Sequence, residues 1–244
     1  MSYGKWISGA IGWAVGGPIG AIFGFALGSL FENGSSVESR TYSTRSGFSH
    51  TEERNSFLIS LLVFSSAVMK ADGKIMKSEL DYVRDFLKKN FGPDAAIEST
   101  QYLKDLLKKE VEIKKIGEQV RQYMTIEARI QLLHYLTGIA RADGSVSYAE
   151  LEVLREIALS LAISSNESNA IFAMFDNGIE AAYKILEVSP EATDQQVKKA
   201  YKYLAIKHHP DKVSHLGTDV QRAAEERFKN IAEAYEKIKK ERGI

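Results

Sequence analysis

An all-α fold is predicted by three observations along the 244-residue chain. Apolar side chains recur at three- and four-residue spacing. Leu58, Leu61, Leu62, Ser65 and Val68 give one stripe, Leu80, Val83, Phe86 and Leu87 a second, and Leu132, Leu133, Leu136 and Ile139 a third. Such stripes are the buried faces of amphipathic helices. Little of the chain alternates apolar and polar as a half-buried strand would. Helix-start signals precede several stripes: Ser147 with Glu150 and Thr193 with Gln196 have capping-box spacing, hydroxyl to the N3 amide and N3 side chain back to the N-cap amide.

The first element, residues 1–31, is predicted to be a membrane anchor. Between Lys5 and Glu32 lie 26 residues without a charge. As a helix they would be about 39 Å long, enough to cross a hydrocarbon core of about 30 Å with some tilt. Gly12, Gly16, Gly20, Gly24 and Gly28 recur every fourth position and would form one groove where a second helix backbone approaches closely. A homodimer through this helix is therefore expected. Lipid keeps a glycine-rich helix intact, because the backbone has no other hydrogen-bonding partner there. Two other readings stay open: a re-entrant hairpin bent at Gly16-Gly17-Pro18, and a cleaved signal peptide, which lacks a polar cleavage region close behind. Flanking charges are few and mixed, so they hardly decide orientation.

Residues 32–52 are rich in Ser, Thr and Gly and repeat at no structural period. They read as a flexible linker. Thirty-two basic residues balance thirty-two acidic ones, giving no support to nucleic-acid binding. The absence of cysteine excludes disulfides, thiolate zinc sites and a Cys nucleophile. No Walker-type phosphate loop or nucleophile elbow is present. The five histidines, His50, His134, His208, His209 and His215, show no metal-ligand spacing with acids. Neither an enzyme nor a cofactor is expected.

Residues 53–176 are predicted to form a helical bundle with an internal echo. "KADGKIMKSEL" at Lys70 to Leu80 returns as "RADGSVSYAEL" at Arg141 to Leu151. An EF-hand loop is excluded, since Val68 and Lys70, then Ile139 and Arg141, stand where its first carboxylates belong. Gly73 and Gly144 are instead expected to end helices in the left-handed conformation. Met76 replaces the capping serine in the first copy, so Glu79 is expected only as a first-turn acid. A competing reading shares one divalent ion among Asp72, Glu79, Asp143 and Glu150 across a pseudo-twofold. The paired "ADGxxxxxEL" phrases resemble the TerB-type domain of tellurite-resistance proteins and membrane-anchored co-chaperones. That resemblance makes a divalent metal at these carboxylates the one cofactor candidate.

Residues 179–244 are predicted to hold a short helix with Tyr183, Ile185 and Leu186, ended by the Ser189-Pro190 turn, and then a helical hairpin. Val197, Ala200, Tyr201 and Leu204 are the inner stripe of its first arm, and Phe228, Ile231 and Tyr235 of its second. The first arm carries Lys198, Lys199, Lys202 and Lys207 and no acid after Asp194. Pro210 stops it, having no amide hydrogen and disfavouring helical geometry at His209. The loop is then expected to stand exposed at the tip.

"YKILEVSPEATDQQVKKAYKYLAIKHHPDK" and "RFKNIAEAYEKI" closely resemble the J domain of DnaJ-type co-chaperones over the last 64 residues. The resemblance implies docking on an ATP-bound DnaK-type chaperone and stimulation of its ATPase, which locks client polypeptide in place. His209, Pro210 and Asp211, with Lys198, Lys199, Lys202, Lys207 and Lys212, are the expected contacts. The sequence shows no Gly/Phe-rich segment after this region and no cysteine zinc module, so client binding through the family's usual modules is not expected. The order of anchor, linker, TerB-type bundle and J domain resembles bacterial membrane-anchored DnaJ-like proteins. It implies a single pass through the inner membrane with the J domain on the ATP-containing, cytoplasmic side. Two alternatives remain: a metal or stress sensor using the J domain as its output, and an adaptor that binds a chaperone without stimulating it.

Overall fold

The computed structural model describes residues 50–176 and 178–244. The anchor helix and glycine groove expected over residues 1–31 lie outside the described residues, as does the expected linker as far as residue 49; its last residues, 50–52, are already helical. Among the described residues no helix is long and apolar enough to cross a membrane, and the architecture is all-α. Six helices make the bundle: α1 (His50–Met69), α2 (Lys77–Leu106), α3 (Ile113–Tyr123), α4 (Ile126–Ala140), α5 (Tyr148–Ser160) and α6 (Ser165–Ala173). Three more follow, α7 (Ile179–Ile185), α8 (Asp194–Lys207) and α9 (Thr218–Arg242), with a 3-10 segment, Pro210–Leu216, between the last two.

α1 and α4, the opening helices of the two echo copies, pack on each other at the centre of the bundle. Each is buried nearly all round rather than along one stripe. Phe57, Ile59, Leu61, Leu62, Val63, Phe64, Val68 and Met69 are all in the core, as are Ala128, Ile130, Leu132, Leu133, Leu136 and Ile139. Two of the buried serines that interrupt α1, Ser60 and Ser66, turn their hydroxyls onto the helix itself, while Ser65 Oγ is buried without a partner. Ser60 Oγ donates to the Ser56 carbonyl at 2.6 Å and Ser66 Oγ to that of Val63 at 2.7 Å, which removes most of the cost of burying them.

Each echo phrase is a turn with a helix start attached. Gly73 (φ 79°) and Gly144 (φ 98°) take the left-handed backbone that favours glycine. Their amides close turns onto Lys70 and Arg141. Asp72 Oδ1 accepts from the Lys74 amide at 2.8 Å and Asp143 Oδ1 from the Ser145 amide at 3.0 Å, the Asx-turn bond that suits Asp before Gly. The basic residue that opens each phrase ties its half shut: Lys70 Nζ donates to the Lys109 carbonyl and Arg141 Nη1 to that of Phe175. Ser147 and Glu150 form the expected capping box at 3.2 and 2.7 Å. Glu79 does more than expected, since its carboxylate accepts from the Met76 amide at 2.8 Å. Half of a capping box therefore forms without the serine.

One helix end departs from the sequence expectation, and a second is built in the same way. α7 stops at a left-handed Glu187 (φ 55°), ahead of Ser189-Pro190, and α5 stops at a left-handed Ala162 (φ 54°). In both, the next amide bonds back across six residues, Val188 to Tyr183 and Ile163 to Ala158. This is a Schellman end with a side chain at the glycine position. Left-handed geometry costs a non-glycine residue about 1 kcal/mol. Ala162 is exposed, so Ala162→Gly should raise stability by about 0.5–1 kcal/mol in a urea titration. α2 also bends, at Gly92 (φ 85°, ψ 168°) before Pro93, because proline removes an internal bond and crowds the preceding turn.

The last three helices share a smaller core of Tyr183, Ile185, Leu186, Val197, Leu204, Ile231, Ala234 and Ile238. Tyr201 and Tyr235 stack across the two arms at 4.3 Å. Arg242 fastens the open end, donating to the carbonyls of Ala192 and Pro190, to Asp194 and to the Tyr183 hydroxyl. The hairpin tip is not free, contrary to expectation. Val213, Leu216, Val220 and Ala224 belong to the bundle's core, and the 3-10 segment packs against α1 and α4.

Candidate functional site

The site begins where α8 is cut short. Pro210 takes the first position of the 3-10 segment, with His209 before it extended at φ −62° and ψ 131°, the conformation a following proline imposes. The His209 ring then turns over the loop: its Nδ1 accepts from the Asp211 amide at 3.3 Å, and Asp211 Oδ2 lies 3.4 Å from the same atom. Phe228 meets the ring edge-on at 6.0 Å. Both polar side chains still face solvent, His209 51% and Asp211 80% exposed. A fixed carboxylate in the open is suited to a charge-assisted hydrogen bond from an incoming arginine.

Beside it, Lys198, Lys199 and Lys202 are exposed along α8. Tyr203 (60% exposed) and Ile206 (73%) share that exposed surface. Neither was expected at the site from the sequence, where their places off the Val197–Leu204 stripe are the only signal. The face is therefore cationic and apolar together, a composition suited to a protein partner. Lys207 and Lys212 differ from the other three lysines. Lys207 Nζ stands 3.0 Å from Glu167 and Lys212 Nζ 3.4 Å from Glu127, and both of these acids lie on the bundle.

Behind the loop lies a buried polar cluster that sequence spacing could not show. Arg227 on α9, 1% exposed, reaches toward His208 Nε2 (3.5 Å) and Glu167 Oε1 (3.8 Å). Glu187 joins them, and Glu167, Glu187 and His208 bring ligand atoms within 4.8 Å of one another. Burial and the adjacent Arg227 push the His208 pKa down to about 2, so the ring is neutral. Burial lowers the Arg227 guanidinium to about 10, against the pull of Glu167 and Glu187. Burial also raises the Glu187 carboxyl. Arg227 Nε and Nη1 and one Glu187 oxygen have no hydrogen-bond partner, while Glu167 Oε1 faces Lys207 Nζ at 3.0 Å. The three ligand-type groups thus converge, correcting the reading from sequence spacing. Arg227 and Lys207 already occupy the cationic place among them.

The acids of the two echo phrases do come near one another. Glu79 is raised to about 7, by burial first and then by Glu150, Asp72 and Asp143. Its Oε1 is buried without a partner. Among the described residues, however, these four carboxylates do not gather three oxygens within 4.8 Å. One oxygen of each is engaged by a backbone amide. They do not form a closed ligand set.

These features give the chain the make-up of a TerB-type helical bundle followed by a J-domain hairpin with a His-Pro-Asp tip. The comparisons agree segment by segment. The family described as "Tellurite resistance protein TerB" matches residues 58–173, "DnaJ domain" residues 181–243, and "Co-chaperone DjlA transmembrane domain" residues 1–38. The chain is similar to "Co-chaperone protein DjlA" of Vibrio cholerae, 28% identical over 93% of this chain and 97% of that protein. The protein of the same name from Coxiella burnetii is 26% identical over 99% and 98%. A quarter of the chain is 52% identical over 64 residues to "DnaJ protein homolog 1" of Drosophila melanogaster, 17% of that protein. No solved structure matches.

Proposed function

We propose that the chain recruits a DnaK-type chaperone to a bacterial inner membrane and stimulates its ATP hydrolysis, with the hairpin on the cytoplasmic side where ATP is available. One observation carries the reading: His209 and Asp211 are ordered by each other yet exposed, at the end of a helix whose free face is cationic. The lysines steer an acidic partner surface, and Asp211 supplies the directed bond. Pro210 removes loop freedom that docking would otherwise have to remove. Clients would be those near the bilayer, and the Gly12-to-Gly28 groove would pair two copies. The triple charge reversal Lys198→Glu/Lys199→Glu/Lys202→Glu tests the docking face. Association with an immobilised ATP-loaded chaperone should slow at least tenfold at low salt, and the parent's salt dependence should disappear. An unchanged association rate would remove this face from the interface.

A second reading is favoured by the unpartnered buried oxygen of Glu79: the TerB-type bundle senses a divalent ion, with Asp72, Asp143 and Glu150 closing around it, and the hairpin is its output. Titration calorimetry with calcium, zinc and manganese on the full chain tests it. A micromolar site lost in Asp72→Ala and Asp143→Ala supports sensing; no heat from any of the three ions rejects it.

A further inference from the structure

The groups that join the bundle to the hairpin tip are unusual for a permanent interface. Two bundle acids, Glu127 on α4 and Glu167 on α6, hold the two lysines that flank the His-Pro-Asp turn. Neither lysine belongs to the hairpin's own core. Glu167, 3% exposed, also faces His208 and Arg227. Below them, Val213 and Leu216 are buried in the bundle's core, on the segment that packs against α1 and α4. This apolar contact is made by Val213, Leu216, Val220 and Ala224, and the polar layer above it is only partly satisfied, with two Arg227 nitrogens unpartnered and the Glu167 oxygen turned to Lys207. A buried polar network left incomplete adds little net stability, because desolvation offsets the attraction. Such an arrangement suits a contact that both closes and opens. It is also no metal site, since Arg227 and Lys207 already balance Glu167 and Glu187.

We infer that the TerB-type bundle is an intramolecular competitor for the hairpin tip: the carboxylates of Glu127 and Glu167 occupy Lys207 and Lys212 in a docked form and withhold them from the chaperone until the tip swings free. An acidic chaperone surface must displace two carboxylates from the same lysines before it can use them. The exposed turn with Lys198, Lys199 and Lys202 offers first contact, and release of the tip completes the site. The inference rests on the co-chaperone reading above.

The test removes both bundle charges without touching the hairpin, by Glu127→Gln/Glu167→Gln in the full chain in detergent. Two quantities are read: amide exchange of residues 210–217, and the concentration giving half-maximal stimulation of a DnaK-type chaperone in single turnover. Exchange should rise at least tenfold in that segment while the α7–α9 core keeps its protection. The half-maximal concentration should fall at least threefold. Glu127→Gln alone, at a half-exposed position, should move both the same way by less, and stands in should the double variant not fold. Unchanged exchange would show that the carboxylates do not hold the tip, and would overturn the inference. So would raised exchange with an unchanged half-maximal concentration. Should exchange rise while neither protein stimulates the chaperone, the docking stands and the co-chaperone reading falls.

Discussion

Arg227→Met should destabilise the folded chain by about 3 kcal/mol, the cost of leaving the buried Glu167 carboxylate with Lys207 as its one remaining close cation among the described residues. Arg227 is 1% exposed and Glu167 3% exposed, so water cannot substitute for the lost guanidinium. Methionine keeps much of the volume, which isolates the charge effect from a cavity effect. A second substitution sharpens the result. Arg227→Met combined with Glu167→Leu and Glu187→Leu should recover most of the loss, since replacing a whole buried ionic group with apolar side chains is often neutral or better. Urea unfolding followed by circular dichroism reads both. A loss below about 1 kcal/mol in the single variant would mean that the cluster is solvated, and the packing of hairpin on bundle would have to be redrawn.

Glu79→Gln should stabilise the protein at pH 8 by about 2 kcal/mol and leave it nearly unchanged at pH 4.5. The folded carboxyl is raised from 4.5 to about 7, chiefly by burial. Between those values the folded chain holds a proton that the unfolded chain has released, so stability falls as pH rises. Below about 4.5 both states are protonated, and above about 7 both are ionised and the full penalty is present. Glutamine keeps an oxygen for the Met76 amide and removes the charge. Melting temperatures from pH 4.5 to 8 should therefore slope downward in the parent across that window and flatten in the variant. A parent slope of opposite sign would contradict the assignment. Added calcium, zinc or manganese gives a second check: an ion held by the echo carboxylates would raise the parent selectively and close the gap at pH 8.

Much of this architecture was legible because local chemistry and tertiary position agree. The inner stripe Val197 to Leu204, the capping residues Thr193 and Ser147, and the proline stop before Asp211 each follow from neighbours within four residues, and each stands where the sequence places it. The tip was misjudged for the opposite reason. Val213 and Leu216 sit in a turn too short to show a period, and their partners on α1 and α4 are more than seventy residues away. Arg227 was invisible on similar grounds: one arginine on a charged helix has no local signature, and its acids come from positions 167 and 187. The ends at Ala162 and Glu187 escaped notice because glycine, the usual marker of a left-handed end, is absent. The echo phrase did reveal its turn and caps. Its basic residue, tying Lys109 and Phe175 from Lys70 and Arg141, emerges only in three dimensions.

The most direct measurement is single-turnover ATP hydrolysis by a DnaK-type chaperone, with the full chain and with Asp211→Asn in parallel. Asparagine preserves shape at an 80% exposed position and removes only the charge offered to a partner arginine, so folding is unaffected. The parent should accelerate hydrolysis severalfold or more, and the variant should leave the chaperone's basal rate. Equal acceleration by both proteins would contradict the account at its centre.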